Sequence, residues 1–503
     1  MKQKLPPALN RKAWLYAWLI VLMMFLVGAG SILLMNCWPR QVQLPGVSPE
    51  LTATARGLDD ICIDADFDPD SQRLTFTQTL KVTNRTGQDQ SAVVLRSWSG
   101  AYLLEETSPC TSDELYSDCY PGGFSSGGLA VDSAEVNGVS VTPAFTDDAS
   151  TVLRIPADWP VNDTVTVTLR CTVAIPDCAG RFGHADGIYM LGNVFPVPAV
   201  WQDGAWRTDA YVSVGDPFLS ECANWHVTLR APKSCTVAAS AADVSDRKGV
   251  HVYEGLALRD FALVIGQDLT AVQAMAEGVL ITACARDKTD AEAMLLYATR
   301  AMQTYARRWG AYPYPTFTLA EAVFPYGGME YPGLVMIGDD VLHSAPQVLE
   351  YTVAHETAHQ WWAVTVGSDG FYQAWQDEAL CEYAWLDYVG DWEGAADREQ
   401  MAFDRIETAL RITIPGGVTP GSPIDYFSDL TQYSRVVYQR GAALWCALEI
   451  HLGKDGLDAL LRDYYDQYAF RIATREELTA LISRHAGMDM SALLLDYLDT
   501  LMY

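Results

Sequence analysis

His355, Glu356 and His359, inside Val353-Ala-His-Glu-Thr-Ala-His-Gln-Trp-Trp362, have the types and spacing that metal-assisted hydrolysis needs. On a helix, residues four apart share a face, so both imidazoles can aim at one ion. Glu356 stands between them and can reach a water beside that ion. This is the zinc-peptidase pattern, with the glutamate as general base. Glu378 is the expected third ligand. Eighteen residues separate it from His359, enough for one helix to finish, turn at Gly367-Ser-Asp-Gly370 and return antiparallel. Two histidines and one glutamate leave the fourth position of a tetrahedral ion open, as a catalytic zinc requires. The expected cofactor is one Zn2+.

The surrounding residues must position this set. Ser344 is a plausible N-cap and Pro346 suits a first turn; no glycine or proline interrupts the run to Val366. Glu382 lies one turn after Glu378 and could accept a ligand histidine's second N–H, face solvent or pair with another helix; Asp377 has the same ambiguity. Two further segments flank the motif: Tyr326-Gly-Gly-Met-Glu-Tyr-Pro-Gly-Leu334 upstream and Val437-Tyr-Gln-Arg-Gly-Ala442 downstream. Gly327 and Gly328 would let a peptide backbone approach closely, and an exposed strand there could pair with it.

Taken together, these segments resemble the aminopeptidase N family of gluzincin zinc metallopeptidases. The likeness runs from about residue 55 to the C-terminus, with its specific motifs after residue 310. It suggests a membrane-anchored, bacterial-type short form, because the 148 residues after His355 complete a thermolysin-like domain and leave no room for a C-terminal helical-repeat domain. By this resemblance Tyr438 is the donor that stabilises the oxyanion, and Glu330 binds the substrate's free α-amine. The family usually has Gly-x-Met-Glu-Asn, and Tyr331 replaces the asparagine here. It also has a second amine anchor in its β domain, for which Asp186 is a weak candidate. The segment from Val194-Phe-Pro-Val-Pro198 through Gly215-Asp-Pro-Phe218 resembles bacterial relatives. The implied function is an aminopeptidase acting on peptides. If Glu330 captures no amine, an oligopeptide endopeptidase is the alternative; a non-catalytic membrane-anchored binding protein is the alternative from another class.

A net charge of −29 over 503 residues argues against nucleic acid as a partner. Met1 to Lys12 carries Lys2, Lys4, Arg11 and Lys12, and Ala13 to Met35 has no charge. These 23 apolar residues suffice for a single transmembrane signal anchor. The positive-inside rule puts residues 1–12 in the cytoplasm and the catalytic domain outside the cell. Among eleven cysteines, Cys110/Cys119, Cys171/Cys178 and Cys222/Cys235 lie close enough in sequence for bridges in an oxidising exterior. The sequence is silent on oligomeric state.

The expected fold class is α+β multidomain. After the tail (1–12) and anchor (13–35) come a stalk (36–54), a sandwich-like β domain (55–270) and a mainly helical thermolysin-like peptidase domain (271–503). Alternation at Leu74, Phe76, Leu80 and Val82 reads as a half-buried strand. Thr164–Leu169 and Trp225–Leu229 repeat that pattern, and Val136-Asn-Gly-Val139 as a hairpin. Near residue 285 the period becomes helical: Thr289 and Glu292 suggest a capping box, followed by Met294, Tyr297, Ala301 and Tyr305. Phe317–Val323 reads as a strand leading into the Gly-Gly-Met-Glu segment.

Overall fold

The computed structural model describes residues 46–500 except 113, 246 and 415. The expected cytoplasmic tail, the anchor at 13–35 and the first part of the stalk lie outside the described residues. No helix among the described residues is long and apolar enough to cross a membrane. Where the expected stalk enters the described residues, Pro49–Ala55 is a short helix. Ser48 caps it by accepting from Leu51 N, and Leu51 and Ala55 are buried.

Alternation of apolar and polar residues builds the N-terminal region. Leu74, Phe76, Leu80 and Val82 of strand Arg73–Thr83 are buried, because successive side chains in a strand point to opposite faces. That strand pairs antiparallel with Asp59–Asp68 and with Thr164–Ala174 inside a seven-stranded sheet. Asp59–Asp68 also runs parallel to Ala223–Arg230. Gly128–Val136 turns into Val139–Val141 through Asn137 (φ 51°) and Gly138 (φ 78°), the left-handed pair that a two-residue hairpin needs. Val93, Leu95, Leu153 and Ile155 of a four-stranded sheet join Leu74, Phe76 and Leu80 in one hydrophobic cluster.

The catalytic region begins with a five-stranded sheet, ordered Thr270–Ala276, Val279–Ala285, Thr316–Ala322, Leu334–Gly338, Gly328–Tyr331. Gly328–Tyr331 is therefore an edge strand. Helix Lys288–Trp309 buries Met294, Ala301 and Tyr305. Its cap is Asp287, which accepts from Thr289 N at 2.6 Å, and not Thr289. From Pro346 onward the chain is mainly helical. The molecule is thus a multidomain α+β protein: a β-rich N-terminal region, then a helical catalytic region.

Among the ties between the two regions is a buried guanidinium. Arg259 donates to Ser220 O on its own side and to Val364 O and Arg471 O on the other, each at 2.8 Å. Gly367 makes room for it, since a Cβ there would lie 2.4 Å from the guanidinium carbon. Replacing Arg259 by methionine strands these buried carbonyls, and each unsatisfied acceptor costs about 1–3 kcal/mol. Arg259→Met is expected to lose about 3 kcal/mol of stability or more, read as a lower denaturant midpoint. An unchanged midpoint would show that the carbonyls find other donors.

Candidate active site

The first ligand helix is Pro346–Ala358. Ser344 does not cap it: its Oγ donates to Asp340 O at 2.7 Å, and Ala345 occupies the cap position. Nor does the helix reach Val366. It ends at Ala358, with His359 at the C-cap. Ala363 has φ 114°, Ala363 N bonds Val366 O, and Arg259 takes Val364 O, so this backbone is bonded outside any helix. His355 and His359 still sit one turn apart on the same face. After the turn, helix Glu378–Trp392 starts with Glu378 itself. Asp377 caps it by accepting from Glu378 N at 2.8 Å, while Ser368 donates to its other oxygen. A helix N-terminus favours a carboxylate, so this start suits Glu378.

His355 Nε2, His359 Nε2 and Glu378 Oε2 converge at 3.1–3.2 Å from one another. All three residues are buried. A tetrahedral ion with bonds of about 2.0–2.1 Å sets its ligands only slightly farther apart than this. The chemistry of the donors agrees. His359 Nδ1 donates to Trp362 O at 3.0 Å, which leaves its Nε2 lone pair facing the centre. Burial raises the Glu378 pKa, but the facing His359 and His355 outweigh it and hold the carboxyl well below the usual carboxylate range. The three residues fit a zinc ion, and this His-His-Glu group is a zinc-binding site.

Glu356 is buried beside this point, and its Oε2 has no hydrogen-bond partner. Burial, then the Glu330 carboxylate, push its pKa well above the ordinary glutamate value. Glu330 lies half-buried on the edge strand, and ligand atoms of Glu330, Glu356 and His359 are within 4.8 Å of one another. Tyr438 sits in a π-helical stretch, Ser434–Arg440, and stacks on His355 at 5.4 Å between centroids. Burial and the neighbouring Glu378 raise its pKa well above 10, so it carries its proton. Gly327 has φ 81°. Gly328 packs so closely that a Cβ would lie 2.3–2.5 Å from the Glu356 carboxylate.

Other expected residues stand elsewhere. Glu382 is buried but accepts from Tyr351 Oη at 2.7 Å and from Arg405 Nε at 2.5 Å, not from a ligand histidine. Asp186 is exposed at a hairpin turn with φ 46°. Asp216, absent from the expected site, belongs to the wall beside Glu330. A cavity of about 80 Å³ there is lined by Trp98, Asn193, Asp216, Phe218, Met329 and Glu330. Asp216 pairs with Arg181 Nη2 at 2.6 Å. Burial, opposed by Arg181 and reinforced by Glu330, pushes the Asp216 carboxyl up to about 7. Burial and Glu378 push Asp377 up to about 8. In the sequence, Asp216 stood only within the Gly215-Asp-Pro-Phe218 segment that resembles bacterial relatives, and that likeness assigned it no role. Gly328→Ala should keep zinc bound yet cut turnover severely, because the new methyl displaces the Glu356 carboxylate; full activity in the zinc-loaded variant would contradict this packing.

Comparison with known proteins agrees with this geometry. Residues 295–497 match the peptidase family M1 domain. Aminopeptidase N of Lactobacillus helveticus is 26% identical over 278 residues, covering 50% of this chain and 32% of that protein. Leucine aminopeptidase 2-1 of Meyerozyma guilliermondii is 21% identical over 469 residues, covering 85% of this chain and 66% of that protein. Against aminopeptidase M1-B of Oryza sativa the match spans 22% of the relative's length, so the chain spans a third or less of several curated relatives. An M1 zinc metallopeptidase from Deinococcus radiodurans shares the fold with a TM-score of 0.60 and 18% identity, over 88% of this chain and 94% of that one. Leukotriene A4 hydrolase from Saccharomyces cerevisiae gives 0.62 and 13%, over 88% and 68%. With the domain match, the shared fold and the His355–His359–Glu378 group in place, residues 295–497 form a peptidase family M1 domain that carries a zinc-binding group.

Proposed function

We propose that this protein is a zinc-dependent aminopeptidase that removes the first residue from peptides. The observation that carries this reading is the pairing of Glu330 with Glu356 across the metal site, within 4.8 Å. Two carboxylates that close favour a cation between them, and a protonated α-amine is one. A chain end anchored there places the first peptide bond beside Glu356. The edge strand Gly328–Tyr331 supports the same register, since an extended peptide can add to a free strand edge.

Bound zinc supplies Lewis acidity toward a water and the peptide carbonyl. Glu356 takes the proton of the attacking water and delivers it to the leaving amine. Tyr438, protonated and stacked on His355, donates to the oxygen on which charge develops. The solved M1 zinc metallopeptidase from Deinococcus radiodurans bound to a Tyr-Ser-Ala substrate supports peptides as the substrate class. The proposal includes a tether: the charge-free run from Ala13 to Met35, behind a basic flank, supports a membrane-anchored enzyme acting outside the cell.

Glu356→Gln should retain zinc while losing about 10²–10⁴-fold in kcat, the usual range for a general base. Near-normal turnover of the zinc-loaded variant would remove Glu356 from that role. N-acetylated peptides should be poor substrates, because acetylation removes the cation. Glu330→Ala should cost about 10–100-fold in kcat/KM on free-amine peptides and far less on blocked ones. Equal losses on both would favour an endopeptidase.

A further inference from the structure

A second cluster of reactive side chains lies behind the Tyr326–Glu330 wall. Cys110, Cys119 and Cys178 are all buried and free. Ala179 N donates to Cys119 O at 2.9 Å, which sets Cys119 and Cys178 on adjacent backbone. Gly180 forms the floor: a Cβ there would lie 3.1 Å from both Cys110 Sγ and Cys178 Sγ. Gly180 thus brings Cys110 and Cys178 together, and Cys119 joins them through its backbone bond beside Cys178. Cys171, near Cys178 in sequence, instead lies on the sheet strand Thr164–Ala174.

Cys110 links this cluster to the substrate wall. Its Sγ is 3.3 Å from Tyr326 Oη and 3.9 Å from Tyr102 Oη. As a thiolate it would accept from both phenols, so of the three it is the sulfur that these contacts stabilise in the attacking form. Tyr326 packs under the Arg181 guanidinium at 4.3 Å, and Arg181 pairs with Asp216. Tyr326 also leads directly into Gly327 and Gly328. The segment that carries Cys110 and Cys119 meets solvent at Glu114, Ser117 and Asp118.

We propose that Cys110, Cys119 and Cys178 form a redox modification site, in which Cys110 forms a disulfide with one of the other two and thereby shifts the Tyr326–Glu330 wall. The oxidant is a small external disulfide. Cys110 thiolate attacks one of its sulfurs, breaking that S–S bond and releasing one thiolate. Cys119 or Cys178 thiolate then attacks the Cys110 sulfur and releases the second. The protein gives up two electrons and two protons, and the external disulfide becomes two thiols. The third cysteine stays a thiol. Oxidation removes the Cys110 S–H, so its contact with Tyr326 changes. The effect on peptide binding rests on the peptidase reading; the disulfide itself does not.

The test treats the intact protein with oxidised glutathione, alkylates the remaining thiols after denaturation, and maps the bridges by mass spectrometry. The expected product links Cys110 to Cys119 or to Cys178, with the third cysteine alkylated. Hydrogen exchange in residues 326–331 should change in parallel, and KM for a free-amine peptide should shift at least about threefold, both reversed by dithiothreitol. Cys110→Ser should make exchange and KM insensitive to oxidant. If that variant does not fold, Cys119→Ser and Cys178→Ser serve, since each leaves Cys110 one partner and should still form its bridge. Three alkylated thiols after oxidation, or a Cys171–Cys178 bridge, would overturn the site. A Cys110 bridge with unaltered exchange at 326–331 would overturn its link to the wall. Absence of hydrolysis in the reduced protein would instead count against the peptidase reading, and leaves the mapping and exchange results decisive.

Discussion

Two imidazole nitrogens and a carboxylate oxygen, buried 3.1–3.2 Å from one another, impose the constraint that the rest of the catalytic region serves. Burying polar groups without satisfying them is costly, and three donors aimed at one point are satisfied together by one cation. The elements around them look like means to that convergence. One helix stops at His359 because its next carbonyls are used elsewhere, and the other begins at Glu378 with Asp377 as its cap. Arg259, bonded across the regions, holds the turn between them. The same guanidinium needs Gly367, so the turn's sequence answers to the packing as well as to chain reversal.

A second constraint is the excess of carboxylates around this point. Glu330, Glu356, Glu378, Asp377 and Asp216 crowd a small volume in which Arg181 is the counter-charge paired to Asp216. Burial and mutual repulsion raise Glu356, Asp377 and Asp216, while the histidines keep Glu378 ionised. Neighbouring carboxyls with pKa values pushed apart are what divides acid–base from ligand roles among like residues. The close fit of Gly328 on Glu356 brings the edge strand and the base within reach of one substrate.

The metal group was legible because its geometry is periodic: four residues on a helix put two imidazoles on one face, whatever surrounds them. The strands at Arg73–Thr83 and Thr164–Ala174 were legible for the same reason, with a period of two. Features set by three-dimensional packing were not. Ser344 had the right chemistry for a cap, but its hydroxyl donates to Asp340 O and Ala345 takes the cap position. Glu382 had the right spacing for a histidine partner, but Tyr351 and Arg405 claim it. Asp216 reaches the site only because distant segments fold together, and no local pattern carries that information. Cys178 likewise meets Cys110 around Gly180, and Cys119 through the Ala179 backbone, by tertiary contact rather than proximity in sequence.

The central claim is tested most directly by the metal itself. Zinc content and X-ray absorption at the zinc edge, on protein purified without added metal or chelator, should give one zinc per chain with only nitrogen and oxygen neighbours, at about 2.0–2.1 Å. A chain without zinc, or sulfur neighbours at about 2.3 Å, would contradict the account.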